Sequence, residues 1–424
     1  MRTRSSVLLL GSVAMLAACT QPVRHGAVGA STSPAERTST HVVVLGTPNG
    51  VTAIDPTTGS VLFSAAGVPA LADWSMLFSA TPASGGTVLQ ARRASSGALA
   101  SSTNITGQLA IRVVSDDGQD VALMAPLPAG RSPWTPAAPT STSLVIADPS
   151  GALQPRRYHL KGNFEPEAFA ADDQSLFMIR YIPAAAPVAY RVVRLDLADG
   201  DVYAVFGRQK SPVETMTGTR LMQVPSPTGA RLFTLYTNQP PEYAKGFNAA
   251  QATAGHPVAF VHTLALDEGW AICVGLPKAL RGGEADRETM AVSPDGGRLY
   301  VVDAARGVVA VVDTDRMKVV GTAAVGFGVA GDVQPRATVS PDGTTLLVAN
   351  GATIVRVDAA TLRPMGTWPA PSVVSGLGFD QTGDRLYVAM PGRVETLDPV
   401  TGSEIGMTPA PVTAGPTYVE AVAA

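Results

Sequence analysis

The chain has 424 residues, a formal net charge of −3 at pH 7 and no run of basic residues beyond its first few positions. This charge pattern argues against a nucleic-acid partner, since phosphate recognition needs clustered Lys and Arg. Cysteine occurs only at Cys19 and Cys273. The sequence therefore predicts a domain held by its hydrophobic core alone, for which the length is ample.

The first 18 residues have the features of a secretory signal peptide. Arg2 and Arg4 precede an apolar run that ends in small residues. The run is shorter than the roughly 20 residues that a membrane-spanning helix needs. The tetrapeptide LAAC, which ends at Cys19, resembles the lipobox of bacterial lipoproteins. The resemblance implies that Cys19 is acylated and becomes the first residue of the mature chain; an ordinary signal with an incidental Cys19 is the alternative.

The segment from residue 19 to 40 is rich in Ser, Thr, Ala, Gly and Pro and has almost no large apolar side chain. Such a composition cannot bury a core, so we expect a disordered tether. A single domain, residues 41–424, would then be held at the extracytoplasmic side of the cell membrane by a lipid on Cys19.

The rest of the chain repeats a short phrase. Its clearest copies begin at Met290, Ala337 and Gly376, and each contains four short apolar stretches. Self-similarity at a spacing of roughly 40 to 47 residues is typical of β-propeller blades. Weaker copies lie near Ala170 and Ser226. The sequence therefore predicts an all-β propeller of seven or eight four-stranded blades.

The two ends of this domain are incomplete in complementary ways. The first repeat, from His41, lacks an innermost strand, and the last apolar stretch of the chain runs from Tyr418 to Val422. We predict that the two pair and close the ring, so that no sheet edge stays open at the joint.

The phrase from Arg298 to Gly326 resembles the YVTN-type repeat of bacterial surface propellers, which is related to lactonase-like propellers. The resemblance extends from Met290 to Gly406. It implies the propeller architecture and leaves function open, because families with this repeat include both binding proteins and lactonases.

The chain has no recognisable metal or catalytic motif. His256 and His262 flank one predicted strand, but six residues along a strand span roughly 20 Å, so they cannot share an ion. Cys273 lies in an apolar stretch and is expected to be a buried strand residue. We predict no metal and no cofactor.

Three connections between the second and third strands of a blade are predicted to be long: Arg92 to Thr106, Ile182 to Ala189 and Asn238 to Pro257. Insertions on one face favour a binding surface there, although a packing role alone would also explain them. We call this side of the propeller the loop-bearing face. Its candidate binding residues are Arg180, Tyr181, Tyr236, Asn238, Tyr243, Lys245 and His256.

The innermost strands begin on the loop-bearing face and line the central channel. Aligning them on the turn that follows places polar side chains at the channel mouth, namely Glu165, Glu167, Arg220, Gln223, Arg287, Glu288 and Arg336. These groups either bind a small polar ligand through Arg contacts or pair with one another as salt bridges.

Together these patterns favour a lipid-anchored binding module whose partner is an envelope protein or a small polar ligand. The alternative is a lactonase-like hydrolase in the central channel, for which Glu167, Arg220 and Arg336 form the only candidate set. A scaffold subunit of an envelope assembly is a third hypothesis. The hydrolase would be favoured if these three residues converged in one pocket without salt-bridge partners.

Overall fold

The computed structural model describes nine stretches of the chain: residues 41–47, 50–66, 74–128, 138–208, 215–239, 258–280, 287–327, 334–410 and 418–423. The predicted signal peptide and tether, residues 1–40, lie outside them. Within the described residues, no helix is long and apolar enough to cross a membrane.

The described residues form a β-propeller of eight blades, which confirms the predicted fold and decides the blade number. Blade 1 contains β1 (His41–Thr47), β2 (Gly50–Ile54) and β3 (Val61–Ala66). Blade 2 contains three strands, β4 (Met76–Ala83), β5 (Gly86–Arg93) and β6 (Leu99–Thr106). Blade 3 contains β7 (Ala110–Val114), β8 (Val121–Met124), β9 (Ser141–Ala147) and β10 (Arg156–Lys161).

The strands of blades 4 to 6 follow in chain order. Blade 4 contains β11 (Asn163–Phe169), β12 (Ser175–Ile182), β13 (Ala189–Asp196) and β14 (Val202–Ala204). Blade 5 contains β15 (Thr219–Pro225), β16 (Arg231–Gln239), β17 (Val258–Ala265) and β18 (Ala271–Gly275). A short 3-10 helix (Lys278–Leu280) precedes blade 6, which contains β19 (Glu288–Val292), β20 (Arg298–Asp303), β21 (Val308–Asp313) and β22 (Lys318–Ala324).

The last two blades complete the ring. Blade 7 contains β23 (Arg336–Val339), β24 (Thr345–Asn350), β25 (Thr353–Asp358) and β26 (Pro364–Pro369). Blade 8 contains β27 (Gly376–Phe379), β28 (Leu386–Met390), β29 (Arg393–Leu397) and β30 (Glu404–Pro409). The final strand, β31 (Tyr418–Ala423), joins blade 1.

The core lies between neighbouring blades. Apolar side chains of adjacent sheets form shared clusters, such as Phe233 and Val261 of blade 5 with Leu299 and Val301 of blade 6. The middle strands are buried on both faces, and every residue of β17 is buried. Each blade is therefore stabilised by both of its neighbours. Cys273 is half buried on β18 and packs against one such cluster.

The repeated turn has the geometry that its sequence predicts. Gly296 adopts a φ of 71°, which favours glycine. The hydroxyl of Ser293 donates to Asp295 Oδ1 at 2.5 Å and accepts the backbone N–H of Arg298 at 2.9 Å. These hydrogen bonds fix the residue at which β20 begins. In the next copy of the phrase, β24 begins at the equivalent position.

The prediction of a long loop from Arg92 to Thr106 is wrong. β5 continues to Arg93 and β6 begins at Leu99, so the connection is a tight turn, in which the N–H of Gly97 bonds the carbonyl of Arg93 at 2.8 Å. The Ser and Thr residues that suggested a loop belong to an outer strand in which only Ile105 is buried. The other two connections differ: residues 183–188 form a loop after β12, and residues 240–257 lie outside the described part of the chain.

The ring closes as predicted. β31 pairs antiparallel with β1 in a register that runs from His41 opposite Ala423 to Gly46 opposite Tyr418. β31 is therefore the innermost strand of blade 1, and it also contacts β27 of blade 8. The two ends of the domain hold each other in place.

Deleting residues 416–424 should lower the unfolding temperature of the whole domain by roughly 10 °C or more, because β1 loses its inner partner and β27 of blade 8 loses the strand that it contacts. Differential scanning calorimetry on the full chain measures this. A control deletion of nine tether residues, 20–28, should leave the transition where it is. Equal transition temperatures for the two deletions would contradict the structural role of β31.

Candidate functional site

A cavity of about 110 Å³ lies between blades 4 and 5. It is lined by Ile179, Tyr181, Pro187, Val188, Ala189, Tyr190, Gly218, Arg220 and Tyr236. Strand pairing sets Ile182 opposite Ala189 and Thr219 opposite Thr237. The cavity is thus formed by the end of β12, the start of β13, the start of β15 and the end of β16, all on the loop-bearing face.

Irregular pairing in the innermost strands of these two blades shapes the site. In β11 the register passes from Pro166 to Ala168, so Glu167 is an extra residue without a partner on β12. In β15 it passes from Arg220 to Met222 in the same way. Bulges re-aim side chains and occur often beside functional sites. These two bulges lie at or beside Glu167 and Arg220, which form an ion pair with each other.

Glu167 is the centre of a buried polar cluster. Its Oε1 accepts from Gln223 Nε2 at 3.0 Å, and from Arg220 Nη2 and Thr234 Oγ1 at 3.4 Å each. The side chain of Glu167 is fully buried, and that of Arg220 is 7% exposed. An ion pair of this length is weaker than a short charge-assisted hydrogen bond, so Glu167 depends on three donors rather than on one.

A second buried ion pair lies beside the first. Arg112 Nε of β7 is 2.9 Å from Glu165 Oε1 of β11, and both side chains are at least nine-tenths buried. Blades 3, 4 and 5 therefore contribute to one polar layer. Arg112 was not among the predicted residues, although an Arg between apolar residues of an inner strand is a usable signal.

Burial governs the ionisation of both carboxyls. It raises the pKa of Glu165 to about 7, while the charges of Arg112 and Arg220 act in the opposite direction. It also raises the pKa of Glu167, against the opposing effects of Arg220, Thr234 and Gln223. Since the guanidiniums remain charged, the polar layer gains positive charge whenever either carboxyl takes up a proton.

The other wall of the site is aromatic. Tyr236 is stacked between Tyr190 and Phe260, with ring centroids 5.2 Å and 5.0 Å away. Tyr181 meets Tyr190 edge to face at 6.2 Å. The hydroxyl of Tyr190 donates to the carbonyl of Thr217 at 2.7 Å. The hydroxyl of Tyr236 is buried and has no hydrogen-bond partner among the described residues.

His262 lies beneath this aromatic stack. Its ring meets that of Tyr236 edge to face at 6.4 Å, and neither ring nitrogen has a partner in the described residues. Burial, aided by the charge of Arg220, lowers its pKa to about 3. His262 is thus a neutral packing residue at physiological pH. No group of three or more His, Cys, Asp or Glu side chains in the described stretches could hold a metal ion.

The structure brings several predicted residues together and separates others. Glu165, Glu167, Tyr181, Arg220 and Tyr236 meet at the cavity or directly behind it. Gln223 belongs to the same layer. Arg180 is exposed, with its guanidinium 5.9 Å from the ring centroid of Phe164. Asn238, the last residue but one of β16, has a left-handed conformation with a φ of 57°. Tyr243, Lys245 and His256 lie outside the described residues.

Arg336 does not belong to this site. It begins β23 in blade 7, two blades beyond Arg220, where its Nε donates to the carbonyl of Ser375 at 2.9 Å. Glu167 and Arg220 pair with each other instead. Of the three residues proposed for a channel hydrolase, only Arg220 lines this cavity. Aligning the repeats on their turn shows which residues occupy equivalent positions in different blades. It does not show that these residues are close to one another in space.

Glu288 begins β19 in blade 6 and forms a separate buried group. Neither of its carboxylate oxygens has a partner among the described residues. Strand pairing sets it opposite Asp303, which accepts hydrogen bonds from Arg306. Burial, and then the charge of Asp303, raise the pKa of Glu288 to about 8, although Arg306 opposes this. Glu288 is accordingly protonated in the folded protein near neutral pH.

Because its folded pKa lies above its unfolded value, Glu288 contributes stability at low pH that is lost as the pH rises from about 4.5 to about 8. Glu288→Gln removes this loss of stability. At pH 9 its free energy of unfolding should exceed that of the wild-type chain by on the order of a few kcal/mol. Thermal unfolding at pH 5 and pH 9 measures the difference. The exposed Glu268→Gln is the control, and parallel pH profiles for all three chains would contradict the assignment.

The comparisons with known proteins support the fold. No family model matches the chain, and no curated protein matches it. Apo AztD from Citrobacter koseri aligns with a TM-score of 0.55 at 12% identity, over 90% of this chain and 98% of that one. The dihydro-heme d1 dehydrogenase NirN, in complex with DHE, aligns with a TM-score of 0.52 at 14% identity, over 88% and 73%. At such identities these two similarities show the propeller fold alone.

A putative 6-phosphogluconolactonase from Bacteroides fragilis is also similar in structure, with a TM-score of 0.45 at 14% identity, over 92% of this chain and 99% of that one.

Proposed function

We propose that this protein is a lipid-anchored, extracytoplasmic β-propeller that binds a partner through its loop-bearing face, with the cavity between blades 4 and 5 as its small-ligand site. One observation carries the binding role. The cavity combines the buried cation of Arg220 with the buried hydroxyl of Tyr236, which has no partner among the described residues. Buried polar groups are nearly always hydrogen-bonded, and we propose that a ligand in this cavity contacts both the guanidinium and the hydroxyl.

The arrangement favours binding over hydrolysis. Glu167, the candidate general base, does not line the cavity and accepts from three donors in the described structure. A general base must reach the proton that it removes. The β12–β13 loop, in contrast, contributes Pro187 and Val188 to the rim, and Val188 is 72% exposed. An exposed apolar rim beside a buried cation is typical of a binding site.

Val188→Trp should close the cavity by placing an indole at its rim. The full chain, purified in detergent, is incubated with the dialysable fraction of spent growth medium, dialysed and analysed by mass spectrometry. We expect the wild-type chain to retain a small molecule, and Val188→Trp to retain about tenfold less, equivalent to about 1.4 kcal/mol of binding free energy.

The control for this experiment is Val400→Trp. Val400 is also 72% exposed, but it lies in the turn between β29 and β30, on the opposite face. Val400→Trp should retain as much as the wild-type chain. The proposed site is wrong if the two Trp variants behave alike, or if the wild-type chain retains nothing.

The membrane anchor is tested separately. Cys19→Ala removes the acylation site and should move the protein from the membrane pellet to the soluble fraction, because the processed chain then lacks the lipid by which the lipobox predicts it to be anchored. Cys273→Ala is the matched control and should leave the protein in the pellet. Immunoblots of fractionated cells measure both. Membrane association that is unchanged in Cys19→Ala would contradict the lipoprotein assignment.

A further inference from the structure

We propose that the cavity between blades 4 and 5 binds a small monocarboxylate with a short apolar tail. This inference rests on the proposed binding function of the same cavity and names the chemical class of its ligand. Three properties of the cavity lining carry it: one cationic group, one buried hydroxyl and one apolar wall.

The charge of the lining selects an anion. Arg220 is the only charged residue among the described residues that line the cavity. Glu165 and Glu167 belong to the polar layer behind it and do not line the space. A cationic ligand in the cavity would be repelled by Arg220 and would find no carboxylate among the described lining residues, because Glu167, which pairs with Arg220, does not line the cavity. The aromatic rings of Tyr181 and Tyr236 therefore do not form a cage for an ammonium group, although such cages use the same residue types.

The hydroxyl of Tyr236 supplies the second contact. Its ring is fixed between Tyr190 and Phe260, so the hydroxyl cannot turn away to find another partner. Arg220 lines the same cavity as Tyr236. A carboxylate has two oxygens, and these can accept from a guanidinium and a phenol at the same time. The ligand would thereby satisfy a buried donor that the described protein leaves unsatisfied.

The ion pair between Arg220 and Glu167 does not prevent Arg220 from contacting this ligand. Arg220 Nη2 is 3.4 Å from Glu167 Oε1, a long contact for opposite charges. Glu167 also accepts from Gln223 and Thr234. A bound carboxylate that draws Arg220 toward the cavity therefore leaves Glu167 with two donors. Burial favours the protonated form of Glu167 as well, which limits repulsion between its carboxyl and an anionic ligand.

The apolar wall and the volume define the rest of the ligand. Ile179, Pro187, Val188 and Ala189 contribute aliphatic groups to the lining. An inorganic oxyanion such as phosphate would leave this wall unused. The volume of about 110 Å³ is well below the roughly 300 Å³ at which pockets for drug-sized ligands begin. A carboxylate with a few aliphatic carbons fits both conditions.

The test compares four probes of similar size on the full chain in detergent, by isothermal titration calorimetry. Butyrate carries the charge and the tail, butyramide lacks the charge, butylamine reverses it, and phosphate lacks the tail. We expect butyrate to bind, butyramide to bind at least about tenfold more weakly, and butylamine and phosphate to give no measurable heat. Butyramide binding as tightly as butyrate, or phosphate binding more tightly, would overturn the inference.

Tyr236→Phe tests the second contact without disturbing the ring stack. It should weaken butyrate binding about tenfold and leave the thermal transition unchanged or higher, since it removes an unsatisfied buried hydroxyl. Tyr203→Phe is the control. The hydroxyl of Tyr203 is on the outer strand β14 and donates to Asp199 Oδ2 at 2.7 Å, so this variant should bind butyrate like the wild-type chain. Unchanged butyrate binding in Tyr236→Phe would overturn the assigned contact.

The two proposals fail in different ways. If butyrate does not bind but the wild-type chain still retains a small molecule that Val188→Trp loses, the cavity is a binding site and the carboxylate inference is wrong. If butyrate does not bind and nothing is retained, both the carboxylate inference and the proposed small-ligand function are wrong.

Discussion

The structure depends on the pairing between the two ends of its domain. β31 supplies the innermost strand of the blade that β1 begins, and it also contacts β27 of blade 8. A ring of sheets in which every blade packs between two others has no free face at which packing can loosen. Without β31, β1 would lose its inner partner and β27 would lose the strand that it contacts. Blades 1 and 8 also share an apolar cluster formed by their middle strands, so β31 completes a contact between two blades that already pack together.

The candidate site exists because two neighbouring blades depart from the regular repeat. Bulges in β11 and β15 lie at or beside Glu167 and Arg220, and the second-to-third-strand connections of both blades are long in sequence. Two buried ion pairs in one layer stabilise a fold only weakly, because the loss of hydration offsets much of the attraction. Under the proposed binding function, these ion pairs and the tyrosine hydroxyl beside the cavity would serve a ligand rather than stability. The ring of blades would then hold the guanidinium and the aromatic wall in place before that ligand binds.

Much of this architecture follows from local sequence signals. The phrase that recurs at Met290 and Ala337 predicts strands and turns in register, and Gly296 has the positive φ that its turn requires. The clustering of Glu165, Glu167, Arg220, Tyr181 and Tyr236 was also predictable in outline, since aligned inner strands and loop ends share one face. The error at Arg92 to Thr106 shows the limit of composition, because Ser and Thr form the exposed side of a strand as readily as a loop.

The sequence by itself determined the all-β propeller, the closure by its last strand and the face on which the candidate residues lie, because each of these is encoded in short segments with a regular period. Only the tertiary structure decided that there are eight blades, that Arg336 lies two blades away from Arg220, and that Arg112 and Tyr190 belong to the site. These facts depend on which side chains meet across the spaces between separate sheets. Such contacts join residues far apart in the chain, so a local pattern can mark a residue such as Arg112 as unusual but cannot identify its partner.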